Sequence, residues 1–510
     1  MHLTLRHDDP LALETALLAL PFFEDGWKEN ELFTSLDKKL GGILASIAKS
    51  EQWKAKKGQT LSLHTHGKVT PERVLLVGMG ARKDFQPSDL RGLGARAVKT
   101  AAALSAKSAA AMLPAVEGQL HDRAAQFLAE GLLHGSYRFD KYHTGDKKKP
   151  FTVDDAVLLV PAELADAGRL DGYKRALARA KIISEAVQRA RDYINEPAAV
   201  ATPTEIARRA EKMAEDKGLT IEILGPKECK KLGMGMFCGV AQGADEELRF
   251  VHLTWSPGKK KDKTPGRKTI ALVGKGVTFD SGGLSLKPND AMLDMKVDMS
   301  GAAAVIATMG ALADLGCPHE VHGFTALCEN MPSGRAYHLG DVLHSMNGKT
   351  VEINNTDAEG RLTLGDAITY AKQACEPDEL YDFATLTGAC MIALGPHIAG
   401  VMGNDNSTIS RWLDSAKLAG EEMWHLPLPE RLKEQLKSDV ADMRNTGARY
   451  GGALTAGLFL KEFVGDTPWV HVDIAGPAST DKEHAHVAPG GTGFAVATLV
   501  EHLVPREPRE

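Results

Sequence analysis

The sequence predicts an α/β fold in two domains, a smaller amino-terminal one over residues 1–165 and a larger carboxy-terminal one over 166–510. Three observations carry this. At 510 residues the chain is too long for one ordinary core. Strand-like apolar runs alternate with helix-like stretches along its whole length. A long stretch rich in Ala, Arg and Leu, from about Leu164 to Ile194, reads as a helix between two such series. It closes at Asn195-Glu196-Pro197, where proline makes continuation costly.

In the first third, Leu11 to Phe23 is apolar enough to resemble a signal peptide. It follows Asp8 and Asp9 instead of Lys or Arg, and Glu14 interrupts it, which argues against one. Val74 to Val77 reads as a buried strand and Ala95 to Leu113 as an Ala-rich helix. A strand over Ala156 to Val160 follows the basic run Lys147-Lys148-Lys149-Pro150. Beyond the long helix, strands are expected at 220–224, 249–254, 269–273, 320–327, 350–353, 381–385 and 469–474. Helices are expected at 301–315, 362–375 and 452–463. The run from Lys259 to Gly266 is a loop by its Pro, Gly and charge content.

Hydrophobic content of 43% and charged content of 25% are those of a soluble globular protein. The net charge of -6 gives no global pull toward nucleic acid or anionic lipid. No uninterrupted apolar stretch approaches the ~20 residues of a membrane helix. The six cysteines form no Cys-x-x-Cys pair and read as small buried hydrophobes. A cytoplasmic location is expected.

Asn355 to Leu362 reads Asn-Thr-Asp-Ala-Glu-Gly-Arg-Leu, which spaces Asp357, Glu359 and Arg361 two residues apart. On an extended segment alternate residues share a face, so all three are expected to point the same way. Upstream, Gly274-Lys275-Gly276-Val277-Thr278-Phe279-Asp280-Ser281-Gly282-Gly283 is followed by Lys287 and Asp298. The acids and Lys275 fall at strand carboxyl ends or helix starts, where ligand sites of open α/β sheets collect. Singly, each has an ordinary explanation. Asp298 is a helix cap, Asp357 and Glu359 are acids near a helix dipole, and the lysines are surface groups. Together, with glycines that let the backbone wrap around Asp280, they point to a binuclear metal site. Two carboxylates ~4 Å apart repel by about 4 kcal/mol at an effective dielectric near 20, so four converging acids call for cations.

No histidine belongs to this cluster, which removes the commonest zinc signature. His64-Thr65-His66 and His484-Ala485-His486 lie outside it. Two Gly-x-Gly strings, Gly78-Met79-Gly80 and Gly274-Lys275-Gly276, have Lys83 and Phe279 where the dinucleotide fingerprint needs a third glycine. No phosphate loop stands out, so a nucleotide is not expected.

The residues and their spacing resemble the leucyl aminopeptidase family, binuclear-metal exopeptidases also called cytosol aminopeptidases. Three further segments stand in the family's order: Glu329-Asn330-Met331-Pro332-Ser333-Gly334, Thr385-Leu386-Thr387-Gly388-Ala389 and Asp473-Ile474-Ala475-Gly476. The resemblance covers roughly residues 190 to 505. It implies two divalent ions, Mn or Zn, in a catalytic domain whose mixed central sheet is flanked by helices. One ion is expected on Lys275, Asp280, Asp298 and Glu359, the other on Asp280, Asp357 and Glu359. Asp280 and Glu359 then bridge. Lys275 binds as a neutral amine, at a deprotonation cost of roughly 4–5 kcal/mol at pH 7, which a bond to a dication can supply.

By the same resemblance Lys287 and Arg361 are catalytic. Lys287 is suited to oxyanion charge, and Arg361 to a planar anion, a bicarbonate acting as general base. Lys287, Asp298, Met295, Thr385, Gly388, Ala475 and Ala478 are the expected substrate contacts. Ala478 stands where some members carry methionine, which bears on pocket depth. The implied substrates are peptides with a free amino terminus, leucine and other mainly apolar residues being released. The implied assembly is a homohexamer with an α/β amino-terminal domain. Some bacterial members also bind DNA, but residues 1–170 hold 23 Lys+Arg against 21 Asp+Glu and no recognition module. A two-metal phosphatase or nuclease would need an open basic phosphate site, and none is seen.

Overall fold

The computed structural model describes residues 1–115, 121–148, 150–258, 266–484, 486–504 and 506. Lys149 of the basic run, residues 259–265 of the expected loop, and Ala485 lie outside them. The chain forms two compact units, Met1–Glu185 with Lys482–Ala488, and Ala186–Asp481 with Pro489–Glu510. The units part within the helix Ala167–Asn195, and the boundary expected at 165 falls just before it.

The first unit is built on a six-stranded sheet: β1 (His2–Arg6), β2 (Leu17–Phe22), β3 (Thr60–His64), β4 (Arg73–Gly78), β5 (Ser108–Met112) and β6 (Asp155–Leu159). The order is β1-β6-β5-β2-β4-β3, parallel except at β3. The stretch that resembles a signal peptide contains β2, whose six residues are all buried in the middle of this sheet. That explains its continuous apolarity. The helix expected over Ala95–Leu113 is corrected. The helix is Leu90–Ala103, Ser105 then takes a positive φ of 56°, and β5 follows. Alanine favours helix locally, but Ala109, Ala110 and Ala111 are buried in an interior strand, and tertiary packing overrides propensity.

The second unit contributes β7 (Thr220–Leu224), β8 (Arg249–Trp255), β9 (Thr269–Asp280), β10 (Glu320–Asn330), β11 (Val342–His344), β12 (Thr350–Glu352), β13 (Glu379–Ala384), β14 (Ala399–Gly403), β15 (Met423–His425), β16 (Met443–Arg444) and β17 (Trp469–Asp473). Eight of them form a mixed sheet in the order β15-β14-β17-β13-β9-β10-β8-β7; β11, β12 and β16 form a small separate one. The core strands β17, β13, β9 and β10 run parallel. Helices cover both faces, among them Gly360–Cys375 and Gly452–Val464, and Ser300–Leu315 with Pro203–Lys217. The stretch Asn289–Leu315 is apolar enough by composition to cross a membrane, but 83% of its most apolar window is buried inside the protein.

The strand expected at 269–273 runs on to Asp280. Glycine permits this. A Cβ on Gly274 would stand 2.5 Å from the Gly301 carbonyl oxygen, and one on Gly301 only 2.0 Å from that of Phe383. Backbone thus packs on backbone where the helix Ser300–Leu315 begins against β9 and β13, and the site forms beside that junction.

Candidate metal centre

Lys275 and Asp280 both lie on β9, five residues apart, so a regular strand would point them to opposite faces. The pairing with β10 slips by one residue. Val277 pairs with Cys328 but Phe279 with Glu329, leaving Thr278 as an extra residue. Such a bulge reverses the alternation and returns both side chains to one side. The chain then doubles back through Gly282 and Gly283 at φ of +85° and +62°, where a Cβ on Gly282 would meet Asp357 Oδ1 at 2.9 Å. Asp298 arrives on the 3-10 turn Met295–Met299 that leads into the helix Ser300–Leu315.

The extended reading of Asp357-Ala358-Glu359-Gly360-Arg361 is corrected. The Asn355 side chain accepts from the Asp357 N–H at 2.8 Å and closes a turn, and a helix starts at Gly360 with Glu359 as its cap. Asp357 and Glu359 still converge, but through a turn. Arg361 sits in the first helical turn, 7% exposed, and donates to the Asn445 carbonyl at 2.8 Å. A Cβ on Gly360 would stand 2.6 Å from Lys275 Nζ, so only glycine leaves room for that lysine.

Lys275 Nζ lies 2.7 Å from Asp298 Oδ2 and 2.8 Å from Glu359 Oε1. Lys287 Nζ lies 2.9 Å from Asp280 Oδ2 and 2.6 Å from Asp357 Oδ1. Lys287, expected to meet only substrate, thus also pairs with two of the expected metal ligands. Burial works against both ammonium groups, but the facing carboxylates outweigh it and raise both pKa values. Burial pushes Asp298 well above the usual carboxylate range. Asp280 is raised by burial and Glu359, Asp357 by burial and Asp280. Burial lowers the Arg361 guanidinium to about 10, with Glu359 and Asp473 supporting its charge.

Asp280, Asp298 and Glu359 are 1%, 4% and 1% exposed. Asp298 Oδ2, Asp357 Oδ1 and Glu359 Oε1 are buried without a well-directed hydrogen bond, although a lysine nitrogen is close to each. Asp280, Asp357 and Glu359 each offer an oxygen within 4.8 Å of the others'. Buried carboxylate oxygens left in this state are costly, and a hard dication is the partner their chemistry fits.

Residues without an assigned role in the sequence hold this geometry. Asn330 Nδ2 donates to Asp280 Oδ1 at 2.8 Å and to the Thr356 carbonyl at 2.9 Å. Asn445 Oδ1 accepts from the Asn354 N–H at 3.0 Å, and its Nδ2 donates to the Asn355 carbonyl at 2.6 Å. Asn330 stood in a motif, which was its only signal. Asn445 lies about 90 residues from the loop it braces and carried none. Of the two histidine pairs outside the cluster, His64 and His66 belong to the first unit, their rings tilted by 47° with centroids 4.6 Å apart.

The profile of the cytosol aminopeptidase family's catalytic domain matches residues 188–500, and that of its N-terminal domain matches 19–146. The chain belongs to the cytosol aminopeptidase family. It is 44% identical over 511 residues to a probable cytosol aminopeptidase of Synechococcus sp. (strain JA-3-3Ab), covering 98% of each chain. It is 40% identical to one of Alkaliphilus metalliredigens (strain QYMF), over 95% of each. Among solved structures it resembles a mutant tomato leucine aminopeptidase (TM-score 0.89, 33% identity, 99% and 97% coverage). It also resembles the bottromycin maturation enzyme BotP in complex with Mn (TM-score 0.82, 34% identity, 96% and 99% coverage). Membership of the cytosol aminopeptidase family makes the chain a metal-dependent peptidase.

Around the centre, the Thr385 hydroxyl donates to Asp298 Oδ1 at 2.8 Å, and the Thr385 carbonyl accepts from Lys275 Nζ at 3.1 Å. Met295 and Ala475 are half-buried, Gly388 is exposed at the start of the helix Gly388–Leu394, and Ala478 is buried at 1% exposure.

Proposed function

We propose that the chain is an aminopeptidase that releases leucine and other mainly apolar amino-terminal residues by two-metal hydrolysis. The observation that carries this is the convergence of Asp280, Asp298, Asp357 and Glu359 with buried, poorly hydrogen-bonded oxygens beside two lysines. Lys275, Asp280, Asp298 and Glu359 would hold one divalent ion, Mn or Zn, and Asp280, Asp357 and Glu359 the other. When bound, the pair supplies Lewis acidity and a lowered pKa for the attacking water. Lys275, cationic among bare carboxylates, would serve as a neutral amine ligand where dications offset their charge.

The chain's own groups complete the chemistry. Asp298, held by the Thr385 hydroxyl, receives the substrate's free amino group. Lys287, beside Asp280 and Asp357 but outside the proposed ligand set, is the cation available to charge developing on the scissile carbonyl oxygen. Arg361 has a buried Nε without a hydrogen-bond partner, and would hold a planar anion such as bicarbonate as general base. Met295, Thr385, Gly388, Ala475 and Ala478 would shape the pocket for the first side chain.

The test compares leucyl and N-acetyl-leucyl peptides. Acetylation removes the amine donor and is expected to reduce cleavage to near background; equal rates would point to an endopeptidase. A cytoplasmic homohexamer, with residues 1–165 serving assembly or regulation, belongs to the same reading. Light scattering that returns a single 54.8 kDa chain would contradict the hexamer.

A further inference from the structure

Asp473 ends β17, is fully buried, and belongs neither to the carboxylate cluster nor to the expected pocket lining. Its Oδ1 accepts from the Leu386 N–H at 3.2 Å, the Thr387 N–H at 3.4 Å and the Ala475 N–H at 3.1 Å. Its Oδ2 accepts from the Thr387 hydroxyl at 2.7 Å. One carboxylate thus ties the loop after β13 to the loop after β17. Thr387 Oγ1 also accepts from the Cys390 N–H at 3.0 Å and so caps the helix Gly388–Leu394.

A buried carboxylate needs buried positive charge nearby. His471, two residues earlier on the same face of β17, is completely buried, and its Nδ1 lies 2.6 Å from Asp382 Oδ1 on β13. The other Asp382 oxygen accepts from Trp469 Nε1 at 2.7 Å. Arg361 is close enough for Asp473 to support its charge. The alternation of Trp469, His471 and Asp473 therefore builds a polar line through the sheet interior that ends at the two loops.

What these loops carry gives the line a purpose. Thr385 grips both Lys275 and Asp298, and Thr385, Gly388, Ala475 and Ala478 are the proposed pocket residues. We propose that Asp473 is the positioning residue that sets the width of the substrate side-chain pocket, by latching the 385–388 loop to the 474–478 loop through Thr387. This rests on the aminopeptidase reading above. Asp473 touches no reacting atom; it acts through Thr387, Leu386 and Ala475.

The experiment measures kcat/KM for leucyl and alanyl anilides, with Mn, on full-length wild type, Asp473→Asn, Thr387→Val and Thr387→Ser. Asp473→Asn replaces the acceptor opposite the Thr387 hydroxyl with an amide donor and weakens the three N–H bonds by removing the charge. Thr387→Val removes the hydroxyl at nearly constant volume. Both should change the leucyl-to-alanyl ratio by about fivefold or more, the scale on which pocket fit discriminates single side-chain differences. Metal content per chain should stay near that of wild type. Thr387→Ser keeps the hydroxyl and should restore the wild-type ratio, which a general loss of stability would not produce. An active wild type with the ratio unchanged within twofold in folded Thr387→Val overturns the inference, whether or not Asp473→Asn folds. A wild type that cleaves neither anilide overturns the aminopeptidase reading instead.

Discussion

Glu359 and Lys287 separate holding a cation from using one. Glu359→Gln removes a negative charge from the oxygens that face Lys275, and an amide oxygen offsets no dication charge. Metal content and kcat should both fall. Lys287→Ala removes an ammonium group that pairs with Asp280 and Asp357 but none of the carboxylates themselves, so metal content should hold while kcat falls by a factor of order 10²–10³, the cost of one lost oxyanion donor. Metal analysis beside kcat reads both; metal-free Lys287→Ala protein, or one with near-normal kcat, contradicts the assignment. The acids were legible because their spacing is unusual and short-range. Their braces were not, since nothing local in Asn445 says that its carbonyl receives Arg361 and its side chain ties down Asn354 and Asn355. His502 offers a second test. Burial lowers it to about 4, between the Tyr381 hydroxyl at 2.8 Å and the Ser415 hydroxyl at 2.9 Å. The unfolded chain, with a histidine near 6.5, takes up the proton first, so this contribution is complete above about pH 6.5 and is lost as pH falls toward 4. His502→Gln should therefore remove about 2 kcal/mol of the stability lost between pH 7 and 5, read from denaturant midpoints at the two pH values. Equal acid losses in wild type and variant would contradict it.

The junction of β9, β13 and the helix Ser300–Leu315 decides whether the loops that carry the acids meet. Alanine for glycine inside a helix ordinarily stabilises by about 1 kcal/mol. At Gly301 the sign should reverse, because a Cβ would lie 2.0 Å from the Phe383 carbonyl oxygen and 2.9 Å from the Lys275 nitrogen, both backbone atoms. Gly301→Ala should cost about 1–3 kcal/mol or more in urea unfolding, and loosen Lys275 with it. Gly168→Ala, with nothing nearer than 3.6 Å, should be neutral or stabilising. A neutral Gly301→Ala would mean that the backbone contact is not tight. Periodicity found the strands here because parallel interior strands are continuously apolar. It stopped β9 at Val273, since Gly274 and Gly276 look like a loop until the helix that packs on Gly274 and the strand β10 that packs on Gly276 are in place. The bulge at Thr278 has no signature of its own; it exists because β10 pairs with β9 on both sides of it. The misread Ala95–Leu113 has a related cause: alanine favours helix locally, and only packing between β2 and β6 makes 108–112 a strand.

Two units, an α/β class and a mixed sheet follow from chain length, alternation and the family's motifs, and only the second unit carries motifs dense enough to place chemistry. The first unit's strands were mostly unread, β2 among them, because a fully buried parallel strand and an apolar leader share the same composition. At the level of the whole enzyme the claim is that peptide hydrolysis depends on divalent ions held by the Asp280, Asp298, Asp357 and Glu359 cluster. The most direct measurement is leucyl anilide hydrolysis by full-length protein before and after exhaustive dialysis against a strong chelator, with metal content verified, and again after Mn or Zn is returned. Activity should disappear with the metal and come back with it, while Glu359→Gln protein recovers little. Full activity in protein verified to be metal-free would contradict the account.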